Sequence, residues 1–450
     1  MILNILFIFS FFYLIGYFFF KKKLVLENVV LGSLAIYLIT VIFSFFINYS
    51  DLFLLFKFIC LFALFSFLLI NSNYKELFNF NLKISIKLLI FLFFIFLIFF
   101  ENIRNIQSEG LEAGDSLAYW FNKTKFFVYN PGVEYLPKPS YPNFLSSLWA
   151  LSFFLFDYDY NLSRVVLPLI YIIVFTLVIQ KINDTYSSNY LNLNVILFFI
   201  FLIYFSTKKF AGIYRFSNAG YADFALSAYL MLGFLYLYIS FSKKVFSKED
   251  YLFGVSILAF GSSIKNEGLI ISLGLYFILN FIFLKYFYFK FKKNISYLSI
   301  CFIIFIAISF FPLFLSLYLK KVHINPDPSI LEILKFSNFF DYKIIILKIP
   351  IITKAFLLNI AQHYLIIFVM LVIFIFKYSF KFFQKPVFKL FIYLICFFVI
   401  YIYTLYLATS WDLPWHLATS IDRIIYHFCG IFVCMIFLIL NSDNKNNNFL

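Results

Sequence analysis

Runs of about twenty apolar residues recur from one end of this 450-residue chain to the other. That is the length of helix the hydrocarbon core of a bilayer demands. Lipid offers no partner for backbone polar groups, so each run must satisfy its own N–H and C=O groups as a helix. Composition closes the alternatives. Hydrophobic residues make up 64 % of the chain and charged residues 13 %. This is too little polar surface for a soluble fold and too apolar for disorder. The expected class is an all-α polytopic membrane protein.

Thirteen runs qualify as spans: 2–20, 25–47, 52–70, 84–100, 164–180, 192–206, 221–241, 251–266, 268–288, 295–319, 356–376, 388–408 and 424–440. Lysine clusters orient them, because basic loops stay cytoplasmic. The clusters are Lys21–Lys23; Lys243, Lys244 and Lys248; Lys285, Lys290, Lys292 and Lys293; and Lys377, Lys381, Lys385 and Lys389. Placing all four inside puts segments 101–163, 207–220, 320–355 and 409–423 outside. Parity then settles a shorter apolar piece, 141–157. A third crossing between 101–140 and 207–220 would separate two segments that must share a side. Residues 141–157 are therefore expected as a helix at or dipping into the outer membrane surface.

The net charge of +15 follows mainly from this topology, since most of the lysine excess falls on the inner side. Nucleic acid is not needed to explain it. The five cysteines lie in apolar stretches without CxxC spacing, which predicts neither a disulfide framework nor a metal cluster. The N-terminus is apolar at once and lacks a basic leader and a cleavage site, so it reads as a first span. Organisation is expected as N-terminal transmembrane helices over 1–83, one membrane domain over 84–440 with the outer loop 101–163, and a cytoplasmic tail over 441–450.

The outer segments hold all four tryptophans and three of the four arginines, and the fourth, Arg164, opens the span that follows the first of them. Topology needs only lysine, whereas arginine adds a planar fork suited to phosphate or carboxylate. In 108–125, Gly110 and Gly114 precede Asp115, and Leu117, Trp120, Phe121 and Thr124 then recur at helical spacing. Asp115 is expected at the start of a short surface helix, either as its N-cap or as a general base at the membrane edge. Glu112 is its rival. Lys208, Lys209 and Arg215 are basic on a face where topology favours few, which points to a lipid phosphate. Asp223 enters the next helix in its first turn, a position that also suits the helix dipole. Lys265 and Glu267 interrupt two apolar runs and are costly at membrane depth unless paired or cavity-facing. The last outer segment carries Trp411, Trp415, His416, Asp422 and Arg423. Tryptophan there serves as an interfacial anchor or as a surface for substrate. His427 reads as a packed polar residue.

Five segments in this order resemble the bacterial C-type (GT-C) glycosyltransferase superfamily, which includes protein O-mannosyltransferases and lipid A aminoarabinose transferases. They are Gly-Asp-Ser-Leu-Ala-Tyr-Trp-Phe-Asn-Lys-Thr-Lys (114–125), Tyr-Pro-Asn-Phe-Leu (141–145), Gly-Tyr-Ala-Asp (220–223), Lys-Asn-Glu-Gly (265–268) and Trp-His-Leu-Ala-Thr-Ser-Ile-Asp-Arg (415–423). The resemblance covers roughly residues 84–440. It implies an enzyme of the bacterial inner membrane whose active site faces the periplasm. It implies a polyprenyl-phosphate sugar donor, a lipid or glycan acceptor, and juxtamembrane helices in the first long outer loop. The catalytic acid would be Asp115. Donor phosphate would meet Lys208, Lys209, Arg215 and Arg423. Substrate would meet Trp120, Asp223, Lys265, Glu267, Trp411, Trp415 and His416. Many members place two acids side by side, but Ser116 follows Asp115 here. The second acid is then Glu112 or comes from elsewhere, and a divalent metal, though possible, is not indicated. Two other classes fit a multi-spanning chain: an O-antigen-type polymerase or ligase, and a lipid or glycan transporter. The first would lean on arginine and histidine rather than an early carboxylate. The second would place its polar residues near mid-membrane.

Overall fold

The computed structural model describes residues 2–20, 25–43, 120–129, 136–138, 141–153, 163–164, 166–185, 209–210, 214–215, 222–242, 245–291, 294–322, 335–361 and 386–441. These residues are overwhelmingly helical. In chain order the helices are α1 (Ile2–Phe20), α2 (Val25–Phe43), α3 (Asn122–Tyr129), α4 (Phe144–Phe153) and α5 (Val166–Thr185). A two-residue ladder follows, β1 (Lys209–Phe210) with β2 (Tyr214–Arg215). Then come α6 (Ala222–Ser242), α7 (Lys248–Ala259), α8 (Gly261–Ile264), α9 (Glu267–Phe291), α10 (Ile295–Val322), α11 (Tyr342–Asn359), α12 (Pro386–Ala408) and α13 (Leu413–Asn441).

Among the described residues six helices are long and apolar enough to cross a bilayer: Val25–Ile42, Ala222–Ser242, Glu267–Lys285, Ile295–Val322, Pro386–Ala408 and Leu413–Met435. Five lie almost wholly on expected spans; the sixth, Leu413–Met435, starts eleven residues before the expected 424–440, so most of the segment 409–423, expected as an outer loop, is part of that helix. Runs 2–20 and 164–180 are the helices α1 and α5, and 251–266 is helical in two pieces. Runs 52–70, 84–100 and 192–206 lie outside the described residues, as does 356–376 beyond residue 361. The boundary expected at 83/84 and the tail 442–450 also lie outside them.

The parity argument concerned 141–157. The helix described in this piece is α4, Phe144–Phe153. Every one of its residues is buried, and it packs on α2, α3, α5 and α8. It is therefore held inside the protein rather than laid on its surface. The expected surface helix after Asp115 also needs correction. Its described part, α3, buries Lys123, Thr124, Phe126, Phe127 and Val128. The cause is the Tyr-Pro-Asn turn. Lys123 Nζ donates to the carbonyl of Tyr141 and, at 2.9 Å, to Asn143 Oδ1. A lysine satisfied by the entry to α4 no longer needs water.

Helix α6 is the axis of the body. Residues 222–241 are all buried, as expected of a helix that is apolar all round, and α5, α7, α8, α9 and α13 pack on it. One end is clamped by charge. Lys181 Nζ of α5 lies 2.6 Å from Asp250 Oδ1 of α7 and 3.6 Å from Glu27 Oε1 of α2. Tyr236 of α6 donates to Glu27 Oε1 at 2.7 Å, and its ring lies under the Lys181 ammonium at 4.4 Å. Two carboxylates meet one lysine here, but each sits in the first turn of its helix, where the helix dipole favours an anion. Through Glu27, α2 joins the same body as α5–α7.

Helices α1 and α2 approach so closely that Cβ atoms do not fit. A Cβ on Gly32 would strike the carbonyl oxygen of Phe12, and one on Gly16 that of Asn28. Small residues permit such contact, which is how helices gain packing energy where lipid gives no hydrophobic drive. Gly32→Leu should force the pair apart at a cost of about 1–3 kcal/mol, the usual range for overpacking. Thermal unfolding in detergent measures this, and an unchanged midpoint would mean a looser crossing than the one described.

Candidate functional site

The opposite end of α6 carries a second, larger polar cluster. Asp223 is the second residue of α6 and its side chain is 0 % exposed. Its Oδ1 accepts from Lys265 Nζ at 2.6 Å and lies 2.7 Å from His427 Nε2. Its Oδ2 accepts from Arg423 Nε at 3.0 Å. Lys265 also lies 3.2 Å from Glu267 Oε1. Sequence separations of 42, 200 and 204 residues are closed by a single carboxylate.

Local structure explains how each group arrives. Helix α8 ends at Lys265, whose backbone is extended (φ −154°, ψ 150°), and α9 begins two residues later. The break turns tightly because Gly268 meets the carbonyl of Gly261 with no room for a Cβ. Lys265 is thus delivered by the backbone to the first turn of α6. Glu267 opens α9, where the helix dipole favours its charge. From the other side, His416, Ser420, Arg423 and His427 fall at i, i+4, i+7 and i+11 on α13. They form one helical stripe that enters the protein. Ser420 Oγ lies 2.9 Å from Tyr406 Oη, and His416 packs edge-on against Tyr406 and Trp411 at 5.0 and 4.8 Å.

Protonation follows from the contacts. The Asp223 oxygens face a lysine, an arginine and an imidazole nitrogen, so the ionised carboxylate is the form that accepts all three. His427 then donates from Nε2. Its buried Nδ1 has no partner, so the neutral tautomer leaves only an acceptor unsatisfied, whereas imidazolium would strand a charged N–H. Two cations and two carboxylates therefore balance. Beside the cluster, Lys348 Nζ of α11 donates to the carbonyls of Leu407 and Thr409 at 3.1 and 3.0 Å. This caps the C-terminus of α12, and burial lowers the Lys348 pKa below the ordinary lysine value.

The residues singled out in the sequence fall into distinct places. Asp223, Lys265, Glu267 and Arg423 form the cluster. His416 is buried beside it, and Trp411 and Trp415 stand exposed at its rim. Arg423, expected to meet donor phosphate, donates from Nε to Asp223. Trp120 is core: it is 3 % exposed, and its carbonyl accepts from Thr124 and Ser146 hydroxyls, so the structure does not bring its ring to the site. Lys209 and Arg215 are register partners in the β1–β2 ladder. Asp115, Glu112 and Lys208 lie outside the described residues. His427 was missed as a site residue. The signal was its position one turn beyond Arg423. Among the described residues no three His, Cys, Asp or Glu side chains are grouped to hold a metal ion.

Fold and cluster together define a helical, multi-pass membrane protein with a buried ion-paired centre at one end of its bundle. No family model, curated protein or solved structure matches the chain.

Removing one partner of a buried ion pair leaves the others uncompensated, a loss of about 3–5 kcal/mol. Asp223→Asn removes the anion that Lys265 and Arg423 share and should lower the unfolding midpoint in detergent well below that of His427→Asn, which removes a neutral partner. Equal midpoints for the two variants would contradict the central role of Asp223.

Proposed function

We propose that this chain is a glycosyltransferase that moves a sugar from a polyprenyl-phosphate donor to a hydroxyl acceptor at the outer face of the bacterial inner membrane, with inversion. One observation carries the reading. Three of the five segments behind the GT-C resemblance, 220–223, 265–268 and 415–423, converge on one carboxylate at one end of the helical bundle. Segments scattered over 200 residues of an apolar chain have no need to meet unless a shared polar site requires it.

In this reading Asp115 takes the proton of the acceptor hydroxyl. The oxygen attacks the anomeric carbon from the face opposite the phosphate, the new C–O bond forms, and the bond to the phosphate oxygen breaks. The electron pair leaves on the lipid phosphate, which fixed cations stabilise. Lys208, Lys209 and Arg215 fill that role, and the ladder register brings two of the three together. Arg423 acts indirectly by holding Asp223 and, through it, Lys265. Phosphate is a good leaving group, so the protein's contribution is positioning and deprotonation.

The test is transfer by purified protein in liposomes, supplied with labelled polyprenyl-phosphate hexoses and pentoses and a cell-envelope extract as acceptor. Protein-dependent release of polyprenyl phosphate with a labelled product is expected. Asp115→Asn should slow it by about 10²–10⁴-fold, the usual worth of a general base. A folded Asp115→Asn protein at full rate would remove the base assignment. Activity confined to pyrophosphate-linked oligosaccharides would replace the reading with a polymerase.

A further inference from the structure

The cluster offers phosphate little. Lys265 and Arg423 are matched by Asp223 and Glu267, and Lys348 lies on backbone carbonyls. Yet the mouth of the cluster is equipped for a ligand of another kind. The two carboxylates differ sharply. Asp223 is fully buried under three donors, whereas the Glu267 side chain is 20 % exposed and holds Lys265 at 3.2 Å, longer than the 2.7–2.9 Å of a tight charge-assisted bond. Beside it His416 is buried with an unpartnered Nδ1. A buried polar atom left unsatisfied calls for an explanation, such as a missing partner. Glu267 and His416 approach the same centre from two sides: Glu267 holds Lys265, which meets Asp223, and His416 stands two turns before Arg423, which meets Asp223 as well.

Next to His416 stand two indoles. Trp411 and Trp415 are 40 % and 56 % exposed, with centroids 5.8 Å apart and planes at 82°. They make an open right-angled corner. His416 lies edge-on to Trp411 at 4.8 Å and fixes that ring. An aromatic face accepts the apolar C–H face of a sugar ring, and an accessible carboxylate accepts from its hydroxyls. Neither needs charge on the ligand.

We propose that Trp411, Trp415, His416 and Glu267 form a subsite for an uncharged sugar ring. The ring packs in the indole corner, and its hydroxyls donate to Glu267 and meet His416. The proposal rests on the transferase reading only for the ring's role, which is that of acceptor saccharide or of the sugar still on its carrier. Binding itself requires no turnover.

Trp120 and Trp149 are buried, so a ligand-induced change in tryptophan emission reports the corner. Purified full-length protein in nanodiscs is titrated with the methyl glycosides of glucose, galactose, mannose, N-acetylglucosamine and xylose, and separately with inorganic phosphate. Saturable emission change with at least one glycoside, and none with phosphate, is expected. Trp411→Ala should weaken it at least tenfold and Trp411→Phe should keep it, both with wild-type unfolding midpoints, and Glu267→Gln should weaken it at least tenfold while still unfolding cooperatively at a lower midpoint, since it loses its pair with Lys265. Competition by a polyprenyl-phosphate sugar assigns the corner to the donor, and its absence assigns it to the acceptor. No response to any glycoside, an equal response to phosphate, or an emission that follows lipid composition alone would overturn the proposal and leave the indoles as interfacial anchors. These titrations stand apart from the transfer assay: lost transfer with intact sugar binding defeats the transferase reading, and the reverse defeats the subsite.

Discussion

One carboxylate organises the functional end of this protein. Asp223 sits in the first turn of the most deeply buried helix and accepts from groups on the α8–α9 break and on α13. A charge at this depth is tolerable only when paired and hydrogen-bonded. That requirement fixes three chain segments against one another more strictly than apolar packing does, because apolar side chains tolerate sliding and a three-donor carboxylate does not. The geometry of Lys265, Glu267 and the α13 stripe follows from it.

The Glu27–Lys181–Asp250 group repeats the principle at the other end of α6. Between the two charged ends, α6 is held in both translation and rotation while its middle carries no charge. Such pins give register to a bundle whose contacts are mostly phenylalanine and leucine. The two ends differ in one respect that bears on function. Asp223 and its partners lie beneath exposed aromatic and polar residues, whereas the Asp250 group contains only side chains committed to one another.

Much of the fold was legible because hydropathy speaks directly about lipid. Among the described residues, five of the six helices capable of crossing lie almost wholly on expected runs, whereas the last, Leu413–Met435, starts well before 424–440. Burial was less legible. The helical spacing of Leu117, Trp120, Phe121 and Thr124 in an outer segment points to a surface helix after Asp115, but Lys123 finds its acceptors in the Tyr141–Asn143 turn. Trp120, a substrate residue by the family resemblance, proves to be core. In the site, the pairing of Lys265 was anticipated from its cost at membrane depth. The identity of its partner was not, because Asp223 already had a sufficient local role at a helix start. His427 escaped because a single histidine in an apolar run has no pattern of its own until Arg423 and Ser420 are read with it.

Helix α13 has a consequence beyond the residues it carries. Its 29 residues span about 43 Å at 1.5 Å per residue, well beyond the roughly 30 Å of hydrocarbon. Such an excess is taken up by tilting, by kinking or by local thickening of the bilayer. Any of these moves of α13 bears directly on the buried centre, because Arg423 and His427 tie that helix to Asp223.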